Sequence, residues 1–132
     1  MNNTRKGLHV WSKEELMVTF YITKYGNKNM YLKTESDISK YFGVSLSSLK
    51  MQVSNFRYLM GYKSGTLSDY SKIQKEIFDE YNNKDWYSFN REIRVIINQD
   101  IHERMELLKK LGKDVKKMKL ISNVGGDMNK IN

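Results

Sequence analysis

Hydrolytic and metal chemistry start from histidines, cysteines and paired carboxylates, and this 132-residue chain holds two histidines and no cysteine. The segment His102-Glu103-Arg104-Met105-Glu106 opens like the helix of a zinc protease. Such a helix needs a second histidine one turn on, and Glu106 stands in that place. Asp100 with Asp114-Val115-Lys116 has the residue types of a metal-nuclease triad, but the three lie on or just beyond one predicted helix, without the strands that normally gather them. Gly125-Gly126 lacks the Lys and Ser/Thr of a phosphate-binding loop. The chain is therefore expected not to be an enzyme and to hold no metal or cofactor.

The remaining chemistry is recognition. Ser45 is a good helix N-cap, and the apolar residues behind it, Leu46, Leu49, Val53 and Phe56, step by three, four and three. If Leu49, Val53 and Phe56 point inward, Ser47, Met51, Ser54, Asn55 and Tyr58 turn outward, with Lys50 and Arg57 on one flank. Short side chains allow close approach to a double helix, Asn can pair with adenine, and Met can touch a thymine methyl. Lysine and arginine serve phosphates, which fix orientation but carry no sequence information. Ser45, Ser47, Ser48, Lys50, Met51, Ser54, Asn55, Arg57, Tyr58 and Lys63 are the candidate contacts. The alternative for this segment is a structural corner, in which Asn55 braces a turn.

A frame of helices must position that face. Ser12 and Glu15 have capping-box spacing and start a helix that ends near Gly26. The β-branched and aromatic run Val18 to Thr23 has strand propensity, but the cap and the spacing of Leu16, Phe20 and Ile22 favour helix. Ser36 is expected to cap a second helix through Ile38, Tyr41 and Phe42, and Gly43 to stop it. Gly61 marks the exit of the third helix, and Tyr62 to Thr66 reads as a loop or a very short hairpin. Tyr70, Ile73, Ile77, Phe78 and Tyr81 outline a fourth helix. Asp85 caps a long fifth one, carrying Phe89, Ile93, Ile97, Ile101, Met105, Leu108 and Leu111 up to a stop at Gly112. The predicted fold is all-α, a helical domain over 1–112 followed by a basic, flexible tail over 113–132.

Residues 35–49, Glu-Ser-Asp-Ile-Ser-Lys-Tyr-Phe-Gly-Val-Ser-Leu-Ser-Ser-Leu, resemble the helix-turn-helix of bacterial and phage DNA-binding proteins. Ser39 is small enough for two helices to approach, Gly43 makes the turn, Val44 plugs the space beneath it, and Ile38, Phe42 and Leu49 share a core. Gln52 departs from the pattern, standing where many such motifs carry an aliphatic residue. Trp11, Glu15-Leu16, Asn55-Phe56 and Gly61 are also similar to the helical module that precedes nuclease domains in some restriction-related proteins. The resemblance implies sequence-specific binding of double-stranded DNA by a small transcriptional regulator of a bacterium or mobile element. The competing class is a phage- or plasmid-encoded inhibitor or adaptor that meets a host protein through its helical surface.

Charge agrees with a polyanionic partner without choosing one. The net charge is +8, and it is uneven: residues 1–66 carry ten Lys/Arg against four Asp/Glu, 67–106 six against nine, and 107–132 seven against two. Lys109, Lys110, Lys113, Lys116, Lys117 and Lys119 form the densest run, readable as a solvated helix end or as an arm along DNA. With no cysteine and no apolar run of about 20 residues, a cytoplasmic location off the membrane is expected. The apolar stripe of the long helix predicts a symmetric dimer through residues 86–111, against a monomer in which that helix completes the core.

Overall fold

The computed structural model describes residues 9–62 and 70–125, with side chains to residue 118. Among the described residues there are six helices and no strand: α1 Lys13–Tyr25, α2 Glu35–Phe42, α3 Leu46–Leu59, α4 Lys72–Tyr81, α5 Trp86–Ile96 and α6 Gln99–Gly125. None is long and apolar enough to cross a membrane. Two compact units are separated at Ile97, and α1 to α5 belong to the first.

α1 is the central element. Its start is the reciprocal box expected at Ser12, whose hydroxyl accepts from the Glu15 N–H at 3.1 Å while the Glu15 carboxylate accepts from the Ser12 N–H at 3.0 Å. Leu16 to Ile22 are buried without interruption, so the helix has no solvent face over two turns, the condition of a helix packed on all sides. α3, α4 and α5 all pack on it. The β-branched run stays helical because its hydroxyls are satisfied locally: Thr19 donates to the Glu15 carbonyl at 2.8 Å and Thr23 to that of Thr19 at 2.7 Å. Tyr21, fully buried, accepts at its hydroxyl from Trp86 Nε1 and Asn90 Nδ2, both at 2.9 Å, which fixes the first turns of α5.

The cap of α2 is Thr34, not Ser36 as expected, because Asp37 stands three residues after Thr34 and completes a box with it. Asp37 also accepts from the Lys33 N–H at 3.1 Å. Gly43 ends α2 in the left-handed conformation, φ 72°, and the Val44 N–H returns to the Ser39 carbonyl at 2.9 Å. Ser45, as expected, caps α3 and Asp85 caps α5.

The long fifth helix of the sequence reading is two helices. Asn98 takes φ 57°, a left-handed conformation that asparagine tolerates better than most residues, and α6 begins after it. Gly112 is no stop either; α6 runs through it to Gly125, into the segment read as a tail. Phe89, Ile93 and Ile97 are buried in the core of the first unit, so that half of the stripe assigned to a dimer seam is closed to a partner.

At Gly43 an added Cβ meets nothing within 4 Å, so Gly43→Ala isolates the backbone strain of the left-handed turn. Its expected effect is a loss of about 1–2 kcal/mol in urea unfolding. An unchanged midpoint would show that this turn is not left-handed in solution.

Candidate nucleic-acid interface

α2 and α3 meet at the Gly43 turn over one small core. Ile38 and Leu49 are fully buried, Ser39 is buried between the helices, and Phe42 and Val44 pack half-buried against the same cluster. Phe56 anchors the far end of α3 against Phe20 of α1, ring centroids 5.1 Å apart. With its inner side held at both ends, α3 presents a fixed outer side.

That outer side is continuous. Leu46, Ser47, Lys50, Met51, Arg57 and Tyr58 are exposed and Ser54 is half-buried; at 3.6 residues per turn all seven fall within an arc of about 140°. Met51 is the most exposed of its large hydrophobic side chains, at 63%. Lys50 lies 3.7 Å from the half-buried Glu35 of α2 and is itself largely in solvent, a pair too screened to remove the lysine from other use. The Arg57 guanidinium sits over the Tyr62 ring, 4.5 Å from its centroid, and Tyr58 stacks on Tyr70 at 6.0 Å. Ser45 is engaged as a cap, its hydroxyl accepting from the Ser48 N–H at 3.1 Å and lying 3.3 Å from the Ser47 hydroxyl. Lys63 lies outside the described residues, as does all but Tyr62 of the segment expected to be a loop or short hairpin.

Asn55 does not turn outward as expected. It is buried, 8% exposed, and its side-chain amide donates to Gln74 Oε1 of α4 at 3.5 Å. Gln74 is itself buried; it donates to Gln52 Oε1 at 2.8 Å and accepts from the Ser71 N–H at 2.8 Å. The departure at Gln52 is thereby explained. Gln52 has a partner here because the helix packed opposite presents Gln74, and the bond between them belongs to a polar layer that also starts α4. Among the described residues no buried side-chain nitrogen or oxygen lacks a partner. Asn55 turns inward because it belongs to this layer, and its partner is nineteen residues away, beyond the reach of local spacing.

The residues weighed for catalysis are accounted for elsewhere. His9 bonds to Glu15 at 2.7 Å and meets Trp11 edge-on, buttressing the start of α1. Asp100 and Asp114 lie on one helix about 21 Å apart along its axis at 1.5 Å per residue, so they cannot share a metal. Among the described residues no group of three or more His, Asp or Glu side chains could hold one. An open cleft of about 380 Å³ lies between α1, α4 and α5, with Lys13, Tyr81 and Glu92 on its wall. Glu92 accepts from Lys84 at 2.7 Å and from the Tyr81 hydroxyl at 2.9 Å. Burial pushes its carboxyl upward, but these two hydrogen bonds outweigh that and hold it below the ordinary glutamate value, the opposite of what a general acid at neutral pH needs.

No family model, no curated protein and no solved structure matches this chain.

Replacing Gln74 by leucine leaves Asn55, Gln52 and the Ser71 N–H without their partner. Gln74→Leu is expected to lose about 1–3 kcal/mol in urea unfolding. A variant as stable as the parent would mean that the polar layer contributes nothing to holding α3 on α4.

Proposed function

We propose that α2 and α3 act as a helix-turn-helix that binds double-stranded DNA in a sequence-specific way, with the outer side of α3 in the major groove, and that the protein is a small transcriptional regulator. One observation carries this reading: the outer arc of α3 sets the short polar side chains of Ser47 and the half-buried Ser54 between Met51 and the exposed cations Lys50 and Arg57. A helix of about 10–12 Å diameter with short polar side chains at the middle of its face and cations along one flank matches the width and chemistry of the major groove. Ser47, Met51, Ser54 and Tyr58 then read base edges, while Lys50 and Arg57 contact phosphates. Asn55, being buried, reads nothing.

A host-protein partner is the second reading, and it draws on the same arc, where Leu46, Met51 and Tyr58 are exposed. A gel-shift series on the protein's own upstream DNA and on random duplex, across salt concentrations, separates the two. Preference for the upstream DNA is expected. Lys50→Ala and Arg57→Ala should weaken binding to both duplexes and reduce the salt slope by about 1 each. Ser47→Ala or Met51→Ala should instead alter preference at one base pair by about 1–3 kcal/mol. Equal binding to both duplexes, lost by moderate salt, contradicts sequence-specific reading, and no binding at all leaves the protein partner.

A further inference from the structure

α6 spans 27 residues, and Ile101, Met105, Leu107, Leu108, Leu111, Val115 and Met118 on it are all about half exposed or more. Scattered exposed aliphatics need no explanation, but these are ordered. Ile101, Leu108 and Val115 repeat by seven, and Arg104, Leu111 and Met118 repeat by seven three residues later, the a and d positions of a heptad. Met105 and Leu107 widen the strip beside them. The lysines at 109, 110, 113, 116 and 117, all exposed, centre about 160° around the helix from that strip.

We propose that α6 pairs with α6 of a second copy of this chain, as an antiparallel two-helix coiled coil over residues 101–118. The occupant follows from the residues. In a parallel, in-register pair Arg104 meets the partner's Arg104 at a seam position, two like charges brought together. An antiparallel register centred between Lys109 and Lys110 instead sets Arg104 beside the partner's Asp114. The same register layers Leu108 against the partner's Leu111 and Ile101 against the partner's Met118, and it places the long Met105 side chain over the partner's Gly112, where the helix has open space. A stable interface withdraws about 1,200 Å² or more from water, and seven large apolar side chains per copy, each about half exposed or more, supply the area for it. A membrane surface fits the strip less well, because Arg104 lies within it and the lysines point away from it, whereas interfacial helices carry cations where they meet headgroups.

The seam differs from the one expected over 86–111: it starts beyond the buried Ile97 and continues past Gly112. It does not depend on DNA binding. Sedimentation equilibrium of the full chain is expected to give a mass of twice 15.7 kDa at micromolar concentrations. Leu108→Glu, with helicity checked by circular dichroism, should raise the dimer dissociation constant by about a hundredfold by placing a charge in the seam. Arg104→Asp and Asp114→Arg should each weaken the dimer by about tenfold, since either sets like charges against each other, and the double variant should restore it. A monomer mass throughout overturns the proposal, whatever else the chain then binds. So does a dimer indifferent to Leu108→Glu, and a double variant no tighter than the single ones overturns the antiparallel register.

Discussion

The ring of Phe20 is the contact on which the first unit depends. It is fully buried at the middle of α1 and lies within 5.1 Å of Phe56 on α3, 5.8 Å of Phe78 on α4 and 6.0 Å of Phe89 on α5, centroid to centroid. One side chain thus touches the three helices that pack on α1. Phe89 extends the aromatic cluster to Tyr21 at 5.3 Å and Tyr81 at 4.7 Å, and tilted or offset ring pairs of this kind add to the burial of large apolar area. With no disulfide available, a unit of this size is held chiefly by such a centre.

The orientation of α3 follows from that centre and from the polar layer beside it. Phe56 fixes one end to α1, Leu49 and the Gly43 turn fix the other to α2, and the Gln52, Asn55 and Gln74 amides set its rotation against α4. Hydrogen bonds contribute this more through direction than through net energy, because a small rotation of α3 would strand the buried amides of Asn55 and Gln74 and the half-buried one of Gln52. The proposed reading of DNA needs that rigidity: a recognition surface on a helix locked from three sides meets its partner without first having to order itself.

Local chemistry was legible in the sequence and long-range pairing was not. The caps at Ser12, Ser45 and Asp85, the stops at Gly26 and Gly43 and the inward step of Leu49 and Phe56 are written in spacings of three and four, and the structure has them. The Thr34 cap has its signal in the sequence as well, Asp37 three residues on, which an expected cap at Ser36 leaves unused. Asn55 departs from the outward expectation because its position on the helix lies at the border of the buried arc, where the partner decides, and that partner is on another helix. The break at Asn98 was hidden by an apolar pattern that continues across it, with Ile97 and Ile101 four residues apart but only Ile97 in the core. Gly112 does not stop the helix: a mid-helix glycine costs about 1 kcal/mol relative to alanine, which the leucines and lysines around it, good helix formers, offset.

The central claim, that the outer side of α3 meets duplex DNA while Asn55 stays in the core, is tested most directly by NMR titration of the labelled protein with its upstream duplex. The account predicts that amide shifts concentrate on Ser47, Lys50, Met51, Ser54, Arg57 and Tyr58, while the side-chain amides of Asn55 and Gln74 hold their positions and remain protected from exchange. Shifts centred on another helix, with α3 unperturbed at saturating DNA, would contradict it.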